Sequence, residues 1–288
     1  MRRAVSIAVG FGLASSMALA NPPVEQQIQQ IDKALDAEPD VSLILQRGTL
    51  HRSEGRYDAA LADYELAGTF VPNHPRLPML RGEALLLAGR YDEAVAALGV
   101  ALERDKRDAQ AWALRAEAFS KLANLKESET HWDTAISLAL ANSGPQLPDW
   151  ILSRSHVQEA QGAEALASAV ADLDLAMTSL GPLIVLELRA VELEVLKGDI
   201  EAAVERLDVI IARMNRPERY LVQKADLLMG AGRFSAASAA YSLALTHLEM
   251  TQTKRSLTSA GQNLQERAAA GFQAAELARH AVSTQSEQ

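Results

Sequence analysis

The sequence predicts an all-α fold, a right-handed solenoid of about six antiparallel helix hairpins with a capping helix at each end. Three observations predict it. Gly48, Gly55, Tyr57, Ala60, Tyr64 and Ala67 return 34 positions later as Gly82, Gly89, Tyr91, Ala94, Leu98 and Ala101. Of the conspicuous positions only Pro72, answered by Lys106, changes chemical type. The repeated unit is made of helix formers with a glycine in its middle, the composition of two helices joined by a tight turn. Finally, both ends carry single helical stripes backed by polar residues, as the ends of a stacked array require.

The first twenty residues are expected to be a leader rather than part of the fold. Met1, Arg2 and Arg3 give a positive start, Ala4 to Met17 is uncharged and mostly apolar or small, and Ala18-Leu19-Ala20 has the small-x-small form of a cleavage site. Gly10, Gly12, Ser15 and Ser16 make the run a poor match to the roughly 20 strongly apolar residues of a spanning helix. Cleavage after Ala20 is expected to leave a chain without stable membrane insertion, in the periplasm, with secretion as second choice. There is no cysteine, so neither disulfides nor a lipid-bearing cysteine contributes.

Each further element follows from its pattern. Residues 21–40 hold a capping helix, with Val24, Ile28, Ile31 and Leu35 at helical spacing. Repeats one to three fill residues 41–142, as Val41 to His74, Pro75 to Asp108 and Ala109 to Asn142. The third keeps Trp112, Ala116, Phe119, Trp132 and Ala135 but replaces the turn's Gly-Arg by Ala123-Asn124 and places Ser128 where a small alanine is expected. Asn tolerates the left-handed conformation, so Asn124 is expected to supply it. Gly144, Pro145 and Pro148 mark residues 143–148 as a loop.

Repeats four to six fill residues 149–251. The fourth, with Trp150, Gly162, Ala169, Leu173 and Ala176, holds about two extra residues near its turn. The fifth keeps Ala190, Gly198, Ile200, Ala203 and Leu207, and the sixth Ala225, Gly232, Phe234, Ala237, Tyr241 and Ala244. Residues 252–282 are assigned to a C-terminal cap with Leu264, Ala268, Phe272, Ala275 and Ala278 on one side, and residues 283–288 to a disordered tail.

This unit resembles the tetratricopeptide repeat, in which a bulky residue, Leu, a small residue and an aromatic on the first helix are followed by Ala, an aromatic and Ala on the second, closing on Pro. Helices packed at about 8 to 10 Å need small residues at their crossings, here Gly48 and Ala60, with Tyr57 and Tyr64 filling the space beside them. The resemblance implies a non-enzymatic adaptor that holds a peptide or partner protein in a concave groove lined by the first helices. The alternative reading is a structural subunit that self-associates through exposed repeat faces.

The residue after each small packing residue is implied to face that groove: Thr49, Glu83, Glu117, Glu192 and Asp226. Leu80, Leu86 and Leu87 are expected to make its middle partly apolar. The acids favour a basic or amine-bearing segment. The family's carboxylate-clamping set is not matched, since Leu45, Thr49, Leu80, Gln110 and Leu114 stand in the corresponding positions.

Composition and motifs exclude several functions. The net charge of -9, which loses Arg2 and Arg3 with the leader, opposes binding to nucleic acid or anionic membrane. No nucleophile elbow, phosphate loop, zinc helix or calcium loop occurs, so no catalytic residue, metal or cofactor is assigned. His51, His74, His131, His156, His247 and His280 are scattered, and only His156 is expected to project inward. Trp112, Trp132 and Trp150 are read as core. Partner identity and oligomeric state stay open.

Overall fold

The computed structural model describes residues 22–142, 146–254 and 256–286, with fourteen helices and no strand among them. The chain divides into two compact units, Met1–Arg90 and Tyr91–Gln288. The division falls inside the second 34-residue repeat rather than at the loop expected over residues 143–148. In its described part the first unit holds α1 (Val24–Ala37), α2 (Val41–Ser53), α3 (Tyr57–Phe70) and α4 (Leu77–Leu87). The second holds α5 (Tyr91–Arg104), α6 (Ala109–Lys121), α7 (Leu125–Asn142), α8 (Leu147–Gln161), α9 (Ala163–Leu180), α10 (Ile184–Leu196), α11 (Ile200–Arg213), α12 (Glu218–Gly230), α13 (Phe234–Lys254) and α14 (Ser259–Ser286).

Local chemistry starts and stops these helices. Asp40, Asp108 and Asp199 cap α2, α6 and α11, accepting hydrogen bonds from the N–H groups of Ser42, Ala111 and Ala202 respectively. A proline in the first turn opens α4 and α8, where its fixed φ suits a helix and its missing N–H costs nothing. Five hairpin turns close the same way: the N–H groups of Arg56, Arg90, Asn124, Asp199 and Arg233 each bond the carbonyl five residues back, at 2.8 to 2.9 Å. The residue before each bonding N–H sits at positive φ. It is glycine in four turns and Ala123, at φ 57°, in the fifth. The left-handed position therefore belongs to Ala123 and not to Asn124, because the bonding pattern fixes which residue must turn. Gly162, at φ 109°, ends α8 and begins α9 without that bond, and it is there that the fourth repeat departs from the common length.

Three boundaries differ from those the sequence suggests. Leu147 and Pro148 already belong to α8, and residues 143–145 of the expected loop lie outside the described residues. No glycine or proline interrupts residues 234–258, so α13 extends to Lys254 and the last helix begins at Ser259. No breaker follows Gly271 either, and α14 continues to Ser286 through part of the segment read as a tail. The expected leader, residues 1–20, lies outside the described residues.

In the first unit, Ile44, Ala60, Tyr64, Ala67, Leu77, Leu80 and Ala84 form the core. A Cβ on Gly48 would sit 2.7 Å from Tyr64 Cε1, so only glycine lets α2 lie on that ring. Arg47 ties three helices: its Nη1 donates to Asp32 at 2.6 Å, and its Nε and Nη2 donate to Asp63 at 3.0 and 2.5 Å. Hydrogen bonding to Asp63 is the main cause that raises the Arg47 pKa.

The second unit repeats the scheme. Trp132 and Trp150, rings 6.4 Å apart, lie in a core with Ala135, Ile151, Leu173, Leu186 and Leu193. Ser128 takes the small position of α7 and its hydroxyl donates to the Ala116 carbonyl at 2.8 Å, which satisfies a group that would be costly to bury alone. His131 stacks between Trp112 and Phe119, at 5.0 and 4.9 Å, and burial lowers its pKa. At the C-terminal end, α14 covers Tyr241 through Gly271. A Cβ there would lie 2.6 and 2.8 Å from Tyr241 Cε1 and Cε2 and nearer still to Cζ.

Candidate partner-binding face

Counting six residues back from each hairpin-turn residue gives the slot expected to face a partner, and the residue before that slot is small on every helix but α10, where it is Val191. In the first unit that slot holds Thr49 and Glu83. The Thr49 hydroxyl donates to the Leu45 carbonyl at 2.9 Å, so it is turned onto its own helix. Glu83 is ion-paired with Arg52. Leu87 is exposed, whereas Leu80 and Leu86 are buried. The expected apolar middle thus reduces to Leu87, because the other two leucines lie on the side of α4 turned to the core.

In the second unit the slot holds Glu117 on α6, His156 on α8, Glu192 on α10 and Asp226 on α12. Glu117 is exposed and makes no hydrogen bond or ion pair among the described residues. His156 is exposed, with Nδ1 3.6 Å from Glu159 Oε2. It occupies the fourth slot, which the direct 34-residue count misses. Counting back from Gly162 finds it, with buried Ser155 as the small residue beside it.

Glu192 is exposed but held by Arg189, whose Nη1 donates to it at 3.2 Å. Arg189 is itself buried, donating from Nε to Ser155 Oγ at 2.9 Å and from Nη2 to Glu159 at 2.5 Å. It therefore clamps α8 to α10, and this contact with Arg189 is the first cause of the lowered Glu159 pKa. Asp226 is more fully engaged. It accepts the Tyr241 hydroxyl at 2.5 Å and an ion pair from Arg267. Tyr241 keeps its proton to higher pH than usual, first because it is buried and then because it donates to Asp226.

The acids expected to form a ladder are thus not equivalent. Glu83, Glu192 and Asp226 are each paired with an arginine of the same unit, and Glu117 alone is unengaged. In the second unit the face offers side chains held in place by ion pairs, Glu192 and Asp226, together with one open carboxylate, Glu117, and one exposed imidazole, His156. The arginine partners were not legible as such, since they stand at different offsets from the slot each one serves: Arg52 is 31 residues before Glu83, on the preceding hairpin, Arg189 is three before Glu192, and Arg267 is on the cap, 41 after Asp226.

A second regularity lies six residues after the small residue of each second helix, about 240° around it. In the second unit that position holds Leu175, Val209 and Leu243 on α9, α11 and α13, 34 residues apart and 67%, 57% and 47% exposed. Val100 on α5 is exposed in the same position, and Thr134 takes it on α7.

No group of three or more His, Asp or Glu able to hold a metal occurs among the described residues, and none of their helices is long and apolar enough to cross a membrane.

Comparison with known proteins agrees with this geometry. The tetratricopeptide repeat family model matches residues 51–118. Human tetratricopeptide repeat protein 16 is 25% identical over 134 residues, which cover 42% of this chain and 15% of that protein. A crystal structure of a tetratricopeptide repeat protein from Parabacteroides merdae superposes with a TM-score of 0.53 at 13% identity, covering 85% of this chain and 92% of that one. The C-terminal part of a repeat-containing protein from Cytophaga hutchinsonii gives 0.53 at 12% identity, covering 87% and 90%. Naa15/Naa10 bound to HypK-THB gives 0.50 at 16% identity, over 86% of this chain and 37% of that one. The matches support the tetratricopeptide repeat family, and the fold class is that of its helical solenoids, whose general use is protein interaction.

Proposed function

We propose that this protein is a non-enzymatic scaffold of the cell envelope, exported by its leader to the periplasm, that holds a peptide segment or partner protein against the first helices of its hairpins. The observation that carries the reading is the slot row of the second unit. Glu117, His156 and Glu192 are exposed at equivalent positions of α6, α8 and α10, and Arg189 fixes the last two helices relative to each other. A face ordered before binding loses little freedom on association. That a structure of similar fold is an assembly bound to HypK-THB supports a protein partner.

The open carboxylate of Glu117 and the half-neutralised Glu192 favour a basic segment. With Glu117→Lys and Glu192→Lys together, affinity for a short fluorescent lysine-glycine peptide at low salt is expected to fall about tenfold or more, with unchanged helical circular dichroism. An unchanged affinity would remove this wall as the site.

Self-association is the second reading, and the row of Leu175, Val209 and Leu243 favours it. Acids beside this row are paired within the chain, Asp174 with Arg206 at 2.7 and 2.8 Å and Asp208 with Lys224 at 2.5 Å. A strongly acidic chain meets a copy of itself most easily where its charges are already neutralised. Sedimentation across a wide concentration range tests this: a dimer lost in Leu175→Asp supports it, and a monomer at every concentration ends it.

A further inference from the structure

At the C-terminal end of the same face, Arg219 and Gln223 stand one turn apart on α12, opposite Leu264 and Arg267 on α14. With Val222 they line a cleft of about 240 Å³. Its charge is opposite to that of the chain. Arg219 and Gln223 make no hydrogen bond or ion pair among the described residues. Arg267 pairs with Asp226 through Nη2, which leaves donors on its Nε and Nη1.

The neighbouring acids do not neutralise the cleft. Asp226 is shared between Tyr241 and Arg267. Glu218, beside Arg219 in sequence, is buried, accepts from Thr251 at 3.3 Å and lies 3.7 Å from Arg216. Lys224 is taken by Asp208. A guanidinium and a carboxamide therefore face the cleft with a second guanidinium beside them, and one positive charge has no counterpart in a protein of net charge -9.

Size and lining define what fits. The cleft is smaller than the roughly 300 Å³ or more of a site for a whole small molecule, so it takes a single side chain or functional group. Planar guanidinium and carboxamide donors suit a carboxylate, which accepts two hydrogen bonds side by side. Val222 and Leu264 supply an apolar wall for a short methylene stem. We propose that Arg219, Gln223 and Arg267 form a pocket for the carboxylate of an acidic side chain, glutamate by its stem length, on a bound polypeptide. This rests on the reading that the face holds a polypeptide, and it adds an acid-accepting end to a face whose other slots favour a base.

The test uses the chain without its leader and three short fluorescent peptides of equal length, glutamate-glycine, glutamine-glycine and lysine-glycine, followed by anisotropy at low salt. Arg219 is exposed and unpaired within the described chain, so Arg219→Gln leaves the fold intact, as circular dichroism verifies. Gln223→Leu is the second variant. Arg267 is not substituted, because it holds Asp226. The glutamate peptide is expected to bind at least tenfold tighter than its glutamine counterpart, and Arg219→Gln to remove about tenfold of that affinity. Gln223→Leu is expected to remove roughly threefold. Equal binding of the glutamate and glutamine peptides, or an Arg219→Gln variant with unchanged affinity, overturns the pocket. If the lysine peptide binds in that case, the polypeptide-binding face stands and the pocket alone is lost. If neither charged peptide binds, both are lost.

Discussion

The first and the last complete hairpins put a tyrosine in the same place and treat it differently. Tyr64 and Tyr241 each lie 16 residues after a small residue of the preceding helix, Gly48 and Ala225. Both rings are buried, and each has a glycine against it, Gly48 or Gly271. The hydroxyls separate them. Tyr241 donates to Asp226, in the slot next to Ala225, whereas the Tyr64 hydroxyl is buried without a hydrogen bond and the corresponding slot residue, Thr49, bonds its own helix. The repeat therefore dictates where the ring goes, and the residue beside the packing position decides whether its polar end is used.

Substitutions at the two glycines should give the largest effects and a clear order. Gly271→Ala drives a methyl into the Tyr241 ring and is expected to cost about 3 kcal/mol in the stability of the α13–α14 contact. Gly48→Ala meets the edge of Tyr64 and is expected to cost about 2 kcal/mol, less what alanine returns as a better helix former. Urea midpoints together with hydrogen exchange of α14 and α2 check both, and equal costs would break the distinction. Next come the hydroxyls. Tyr241→Phe leaves Asp226 with one partner fewer and is expected to lose about 1.5 kcal/mol, while Tyr64→Phe should change stability by no more than about 0.5 kcal/mol or raise it. A loss at Tyr64 as large as that at Tyr241 would show that its hydroxyl is not idle.

The middle hairpin sharpens the comparison by departing from both ends. Ala123 holds the left-handed position that glycine holds in the first and last turns, and an L-residue there costs about 1 to 2 kcal/mol. Ala123→Gly is expected to raise stability by about 0.5 kcal/mol, the strain relieved being partly offset by the freer unfolded chain. The smallest effect concerns pH. Burial between Trp112 and Phe119 lowers the His131 pKa, so the unfolded chain binds more protons. The contribution is complete above the unfolded value of about 6.5 and declines as pH falls toward the lower folded value. Thermal melts between neutral and mildly acidic pH should show this decline, and it should be absent in His131→Phe.

The hairpin order was legible because it depends on small residues at fixed spacing, and packing tolerates little there: Gly48, Ala94, Ala203 and Ala225 are buried as the period requires. Turn detail was less legible, since the left-handed duty at Ala123 is set by a backbone hydrogen bond that residue type alone does not reveal. The slot residues could be located, but not their partners. Arg52, Arg189 and Arg267 reach Glu83, Glu192 and Asp226 from three different offsets, and a long flexible side chain leaves no periodic trace. Helix ends at Lys254 and Ser286 were misplaced because composition marks breakers, and none was present.

Gly271 also has a consequence for the order of synthesis. The α12–α13 hairpin leaves the ribosome with the Tyr241 ring uncovered where Gly271 later lies, Ser238 without Glu276, and Asp226 without its arginine. That hairpin must wait for a helix whose seat is cut to a single glycine. A chain halted before residue 259 would carry an open apolar face and half of the Arg219 cleft, a form suited to recognition by chaperones or proteases rather than by the partner of the finished array.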